Sequence, residues 1–240
     1  MKPAPNLYHA ISQRKSTRKY EAQPLDAETL AEVEEAIAEL SPLDASVRLT
    51  WRFARKTKGK FRADAPHYLI ISGNGAPGEM EEVGFRFQQL VLWLDTKGIG
   101  SVWLGSTRDA EKSDTENDLV TLAFGKAAGS LHRAASEFNR KPLESITNAS
   151  DDERMQAVRL APSGMNTQPW YFDKTNDKVL VYRQKLKPPL SLVYKLADLD
   201  MGIALCHYAL ACQQESKPFA FARSDAMPNK PGFVPFGIIE

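Results

Sequence analysis

Two long stretches of the sequence repeat apolar residues every three or four positions, which predicts two amphipathic helices. The apolar positions of the second stretch lie 118 residues after those of the first, and Gly84 and Gly202 share this spacing. Because amphipathic helices resemble one another by geometry alone, this pair does not by itself establish an internal repeat. The positions are Val83, Phe87, Leu90, Val91 and Leu94 in the first stretch and Met201, Leu205, Tyr208, Ala209 and Cys212 in the second.

A second pair of segments strengthens the case for a repeat. Each follows a run with helical spacing, and matched positions lie 119 or 120 residues apart. The matches are Leu40 with Leu160, Pro42 with Pro162, Trp51 with Trp170 and Phe53 with Phe172. A weaker match relates residues 13–17 to 139–143. We therefore interpret the chain as one domain of two related halves, about 1–125 and 126–240.

Shorter patterns predict the remaining elements. Runs rich in branched and aromatic residues predict strands at 67–72, 101–105, 178–182 and 233–239. Asp26 has the features of a helix N-cap, and Ser150 with Glu153 forms a capping-box pattern. Helices and strands mix without a strict βαβ rhythm, which favours an α+β fold.

Composition narrows the classes of function. The chain has 240 residues, 42% of them hydrophobic and 25% charged, with a formal net charge of +1. This balance gives no reason to expect nucleic acid or an anionic membrane as a partner. No apolar run reaches the length of a membrane span, and the N-terminus lacks the apolar core of a signal peptide. We therefore expect a cytoplasmic location.

Cysteine and histidine usage agree with that expectation. Cys206 and Cys212 fall six positions apart on one predicted helix, too far apart to form a disulfide bond without breaking it. Few cysteines and no disulfide framework fit a reducing compartment. The four histidines are scattered without the spacing of a structural zinc site.

The differences between the halves locate the candidate chemistry. The first half carries three cations and a hydroxyl at Arg14, Lys15, Ser16 and Arg18. The second keeps Arg140 and Lys141 but has a proline and a glutamate where the serine and the last arginine stand. Conversely, the second half has Asn166 and Gln168-Pro169, whereas residues 41–51 contain no asparagine and no Gln-Pro. Each half lacks what the other retains, which indicates one composite site.

Residues 14–18 suit an anion, because arginine presents a planar fork of donors and serine adds a short one. A solvated basic turn explains the same residues, as it does for the basic loop at Lys56, Lys58, Lys60 and Arg62. A glycine pattern at Gly73, Gly75 and Gly78 matches the dinucleotide-binding fingerprint. We reject that reading because Glu79, Glu81 and Glu82 crowd the position a pyrophosphate would need.

Together these motifs resemble the FMN-dependent nitroreductase-like family. The resemblance rests on Arg14-x-Ser16-x-Arg18, on Ala-Pro-Ser-x-x-Asn-x-Gln-Pro-Trp at residues 161–170, on Lys-Gly-Ile-Gly-Ser before a strand at 97–101, and on Arg-Lys-Pro-Leu at 140–143. Ordinary members are homodimers with flavin sites at the subunit interface. This chain is similar to a branch in which one chain folds as a pseudo-dimer and one of the two flavin sites survives.

The resemblance implies an FMN site and its residues. Arg14, Lys15, Ser16 and Arg18 would hold the phosphate and ribityl chain, and Arg140 with Lys141 would add phosphate contacts. Pro162, Ser163, Gly164, Asn166 and Gln168 would line the flavin from the other half. Gly105 falls where a backbone N–H approaches the flavin ring. No catalytic side chain and no metal site is implied.

The implied activity is transfer of a hydride from NADH or NADPH to FMN, followed by ping-pong reduction of a nitroaromatic, a quinone or a similar small molecule. The implied working unit is a monomer that acts as a pseudo-dimer. An alternative is a non-catalytic flavin-binding sensor or carrier, since the loss of one site makes further loss plausible.

Overall fold

The computed structural model describes residues 6–188 and 196–240 and contains two units of mixed helix and sheet. The α-helices are α1 (Leu7–Ile11), α2 (Ala27–Ala38), α3 (Glu79–Thr96), α4 (Glu153–Leu160) and α5 (Ala197–Gln214). The strands are β1 (Thr50–Ala54), β2 (Thr57–Gly59), β3 (His67–Ser72), β4 (Gly100–Leu104), β5 (Thr107–Asp109), β6 (Asp118–Gly125), β7 (Trp170–Lys174), β8 (Val179–Gln184), β9 (Phe221–Arg223) and β10 (Phe233–Ile239). Short 3₁₀ helices span Ala135–Glu137, Leu143–Ser145 and Gly164–Asn166.

The two units repeat one topology. Their antiparallel sheets have the strand orders β1-β3-β6-β4 and β7-β8-β10-β9. In each, a long helix, α3 or α5, connects the two strands that flank the last strand of the unit. A shorter helix, α2 or α4, precedes the first strand of each unit. This confirms the α+β class and the internal duplication, whereas the boundary near residue 125 stays a prediction.

Helices α3 and α5 pack against each other at two glycines, which explains the shared spacing of Gly84 and Gly202. A Cβ atom on Gly84 would overlap the carbonyl oxygen of Leu199, and one on Gly202 would overlap that of Glu81. Glu81 and Leu199 are themselves 118 residues apart. The contact is therefore reciprocal, as in an interface between two equivalent subunits.

One apolar core runs through both units, and its two matched tryptophans differ in burial. Trp170 on β7 is 1% exposed, whereas Trp51 on β1 is 37% exposed, although both strands lie at the edges of their sheets. The match between the two tryptophans in the sequence therefore does not extend to their burial. The largest fully buried side chains are Trp170, Tyr182, Tyr208, Phe87, Phe124, Phe172, Leu69, Ile70, Ile71, Leu90, Leu92 and Leu94.

The predicted strands and helix caps are confirmed only in part. All four predicted strands are present within one or two residues of their expected ends, but β1, β2, β5, β6, β7 and β9 were not predicted. Asp26 caps α2 by accepting a hydrogen bond from the backbone N–H of Thr29 at 2.8 Å. The capping box at Ser150 is wrong, because α4 starts later and Asp152 caps it by accepting from the N–H of Arg154.

The glycine loop before α3 is closed by a protein carboxylate. The Glu79 side chain, 5% exposed, accepts a hydrogen bond from the backbone N–H of Asn74. A phosphate at this helix terminus would meet a buried carboxylate, in agreement with the rejection of a dinucleotide fingerprint. In the described part of the chain, no helix is long and apolar enough to cross a membrane.

The glycine contact makes a direct prediction about stability. Gly84→Ala and Gly202→Ala should each lower the free energy of unfolding by about 1–3 kcal/mol or more, because the added methyl meets backbone that cannot move aside. Urea denaturation measures the change. Gly129→Ala is the matched control, since a Cβ atom there meets nothing within 4 Å. Equal stability of all three variants would contradict the reciprocal contact.

Candidate functional site

The basic segment after α1 runs beside the segment that follows β6. Arg14 forms an antiparallel bridge with His132, and the N–H of Arg133 donates to the carbonyl oxygen of Gln13 at 3.0 Å. On its other side, Ser16 bridges to Ser101 of β4. These backbone contacts hold Arg14 at the C-terminal end of α1 and bring Arg133 next to it.

Arg14 is not part of a solvated basic turn, because it is only 3% exposed. Its Nη2 donates to the Ser16 hydroxyl at 3.2 Å, while its Nη1 is buried without a hydrogen-bond partner. Burial lowers the pKa of the Arg14 guanidinium to about 9, and the charges of Arg133 and Arg140 lower it further. Such a buried cation is costly unless an anion accompanies it.

Arg133 and Arg140, like Arg14, each have a buried guanidinium nitrogen without a hydrogen-bond partner. The Nε atom of each is buried without a hydrogen-bond partner, and both guanidinium groups lie over the Phe138 ring, 3.5 and 5.7 Å from its centroid. Burial lowers the pKa of Arg140 to about 10, with Arg133 as the next cause. Within residues 6–188 and 196–240, none of these three arginines forms an ion pair with a carboxylate.

The segment 161–170 has a strained backbone on the other side of the cluster. Met165, Asn166 and Gln168 have φ values of 53, 56 and 46 degrees, in the left-handed region that disfavours side chains. Each such residue costs of order 1–3 kcal/mol, and this kind of strain concentrates at functional sites. Asp200, 1% exposed in the first turn of α5, holds the segment by accepting from the Gly164 N–H and the Thr167 hydroxyl.

Hydrogen bonds join the strained segment to the arginine cluster. The Asn166 side-chain oxygen accepts from Arg140 Nη1 at 2.8 Å. The Gln168 side-chain oxygen accepts from the Lys141 N–H at 2.8 Å, and Lys141 Nζ donates to the Gln168 carbonyl oxygen at 3.0 Å. The Ser163 hydroxyl accepts from the Gln168 N–H at 2.9 Å. These contacts join residues 163–168 to Arg140 and Lys141, and the charge of Arg140 in turn acts on Arg14 of the basic segment.

Three predicted residues lie at the margin of this site, and Gly105 shapes one of its walls. Arg18 is exposed and Lys15 is half-buried, while Pro162 is buried at the end of α4. Gly105 directly follows β4, four residues beyond the Ser101 bridge. A Cβ atom on Gly105 would overlap the Leu196 side chain, so a glycine allows the second unit to approach the strand end.

The pKa of a buried histidine, His207, is lowered by its burial and by the positive charges of the arginine cluster. His207 is fully buried, and its Nδ1 faces the Ala157 carbonyl oxygen at 2.8 Å while its Nε2 faces the Gln88 side-chain nitrogen at 3.0 Å. Burial lowers the pKa of His207 to about 3, and the charges of Arg14 and Arg140 add to this effect. A neutral ring, donating through Nδ1 and accepting through Nε2, satisfies both neighbours.

Two members of the site escaped sequence reasoning. Arg133 gave no signal, because its burial depends on pairing between segments more than 100 residues apart. Asp200 had a signal in the repeat, since Glu82 lies 118 residues before it and accepts from the N–H groups of Leu43 and Asp44. The two carboxylates anchor corresponding loops, one in each unit.

One solved structure shares this fold over nearly the whole chain, and others are similar to about half of it. A crystal structure described as a "putative nitroreductase" from Thermotoga maritima matches 98% of this chain and 92% of its own length, with a TM-score of 0.70 and 18% identity. A nitroreductase family protein from Clostridium difficile 630 has a TM-score of 0.46 and 16% identity, covering 58% and 94% of the two chains. An FMN-dependent nitroreductase from C. difficile R20291 has a TM-score of 0.40 and 14% identity, covering 54% and 93%.

A family model described as "Putative TM nitroreductase" matches residues 6–212. Because this match spans most of the sequence, the chain belongs to that nitroreductase family. Among curated proteins, none matches the sequence.

The arginine cluster, with its unpartnered guanidinium nitrogens, predicts an unusual stability response. In phosphate-free buffer, Arg14→Met should raise the free energy of unfolding by about 1–3 kcal/mol, because an apolar side chain replaces a buried, incompletely paired cation. Inorganic phosphate should stabilise the parent protein, and the variant should lose most of that gain.

Urea denaturation with and without phosphate measures both effects. Arg48→Met is the control, since Arg48 is exposed and forms no ion pair in the described part of the chain. A destabilised Arg14→Met variant, together with a parent protein that phosphate leaves unchanged, would argue against an anion site.

Proposed function

We propose that the protein is an FMN-dependent NAD(P)H oxidoreductase of the nitroreductase type, with one FMN per chain at the arginine cluster. The observation that carries this proposal is the set of buried, unpartnered guanidinium nitrogens on Arg14, Arg133 and Arg140. A phosphate monoester carries nearly two negative charges at neutral pH and three acceptor oxygens. It would pair the orphaned donors and would offset both the burial and the mutual repulsion that lower the arginine pKa values.

The residues around the cluster suit the rest of the cofactor. The Ser16 hydroxyl and the exposed Arg18 would face the phosphate and ribityl chain from the first unit. The rigid segment from Pro162 to Gln168 would line the flavin from the second. Gly105 would present backbone to the ring edge, where an N–H can stabilise developing negative charge. Bound FMN would supply the redox chemistry, taking a hydride from NADH or NADPH and reducing a nitroaromatic or quinone in a second, ping-pong step.

The side chains would bind and orient rather than transfer protons. The carboxylate of Asp200 and the carboxylate of Glu82 are both committed to loop N–H groups. His207 is neutral and satisfied on both ring nitrogens. We therefore assign no general acid or base. Because the two units already provide both sides of the site, we further propose that the chain works as a monomer in the cytoplasm.

Cofactor stoichiometry tests this proposal. Titration of the purified protein with FMN, followed by flavin fluorescence, should saturate at one FMN per chain, because only one side of the duplicated fold carries the arginine cluster. A protein that binds no FMN would rule out the proposal, and two FMN per chain would contradict the single site. Bound flavin that neither NADH nor NADPH reduces would instead favour a flavin-binding sensor or carrier.

A second prediction concerns the bond between the two motifs. Asn166→Gly keeps a residue that tolerates left-handed backbone but removes the acceptor that holds Arg140. The Kd for FMN should rise about tenfold, the effect of one lost hydrogen bond to a charged group. Asn148→Gly is the matched control, because Asn148 makes two comparable bonds to Lys174, outside the cluster. Equal affinities of the two variants would show that Asn166 does not position Arg140.

A further inference from the structure

The small antiparallel sheet of β2 and β5 distinguishes the first unit from the second. Residues 55–66 connect β1 to β3, whereas only residues 175–178 connect the corresponding β7 and β8. The two strands pair only with each other, outside the main sheet. We name residues 55–62 together with 106–112 the cationic arm. The arm is therefore an addition to one unit, on the unit that supplies Gly105.

The arm places like charges opposite each other. Lys58 and Arg108 are cross-strand partners in the register of β2 and β5. Directly opposed like charges destabilise a strand pair, so this pairing needs another explanation. Lys58 Nζ donates to the Lys112 carbonyl oxygen at 3.3 Å, and Arg108 Nη1 donates to the Thr107 carbonyl oxygen at 2.9 Å. Both cations therefore contact backbone rather than carboxylates.

The buried carboxylates near the arm are already occupied. Asp109 and Asp118 both pair with Arg52, at 3.3 and 2.8 Å. Across the described ranges, neither Lys58 nor Arg108 forms an ion pair. The arm thus keeps a pair of cations that can accept an external anion.

An exposed aromatic ring follows β2 on the same arm. Phe61 is 72% exposed, although its backbone is fixed at both polar atoms. Its N–H donates to the Ser106 hydroxyl at 3.3 Å, and its carbonyl oxygen accepts from the Thr107 hydroxyl at 2.8 Å. Lys60 and Arg62 flank it and are exposed. An anchored aromatic ring can stack on a nucleobase, and the cations beside it can hold the phosphates of the same nucleotide.

The arm also touches the strand end that the flavin ring would approach. Arg108 Nη1 lies 3.4 Å from the carbonyl oxygen of Gly105. We propose that the cationic arm binds the adenosine and phosphate groups of the nicotinamide dinucleotide, with Phe61 on the adenine and with Lys58 and Arg108 on phosphate. This inference rests on the proposed function, and it replaces the interpretation of residues 56–62 as a solvated loop.

Stopped-flow reduction of the FMN-loaded protein by NADPH and by NADH tests the proposal. The double variant Lys58→Met/Arg108→Met should raise the dinucleotide Kd about 10- to 100-fold with the limiting rate unchanged, because charge-assisted contacts are lost away from the ring. Phe61→Ala should raise it about 5- to 50-fold. If the double variant weakens binding of NADPH alone, Lys58 and Arg108 contact the 2′-phosphate. If it weakens binding of NADPH and NADH equally, they contact the pyrophosphate. The control Lys178→Met/Lys217→Met removes the same charge from cations paired with Glu240 and Glu215.

A second readout does not depend on flavin. Calorimetric titration of the flavin-free protein with adenosine 2′,5′-bisphosphate and with ADP should show binding that both arm variants weaken. Arm variants that reduce and titrate like the parent would overturn the proposal, and so would an arm that binds oligothymidylate but not these nucleotides. Failure to take up FMN would refute the proposed function alone, since the titration still reports on the arm.

Discussion

The close approach of α3 and α5 at Gly84 and Gly202 is the contact on which the rest of the molecule depends. Each glycine receives the backbone of the opposite helix, so each helix start has a fixed position relative to the other unit. Glu82 and Asp200 lie two residues before these glycines, and each anchors the loop that follows the short helix of its unit. One helix crossing therefore sets the geometry of both loops.

The two loops differ in their residues and in the contacts that they make. In the first unit, Glu82 also pairs with Arg86, and its loop carries no asparagine or glutamine. In the second, the loop anchored by Asp200 adopts left-handed backbone and directs Asn166 to Arg140. The strain is maintained by the hydrogen bonds of Asp200, and three arginines with unpartnered guanidinium nitrogens lie beside it. Both costs make sense if an anionic ligand completes this site, as the proposed function requires.

Local patterns predicted much of the fold, and long-range contacts account for what they missed. Helical stripes at Val83 and Met201 and the four predicted strands follow from short-range periodicity. Arg133 and Asp200 are ordinary charged residues until the chain pairs them with distant segments. Trp51 and Trp170 match in the sequence and both lie on edge strands, but only Trp170 is buried, because burial depends on what the rest of the chain packs against each strand. The motifs of residues 14–18 and 161–170 were identifiable, but their joining through Arg140 required the structure.

A crystal structure of the protein with FMN tests the central claim most directly. The account predicts one FMN, with its phosphate against the guanidinium groups of Arg14, Arg133 and Arg140 and its ring extending between Gly105 and the segment 162–168. A phosphate bound away from these three arginines, or a second FMN at the loop that Glu82 anchors, would contradict it.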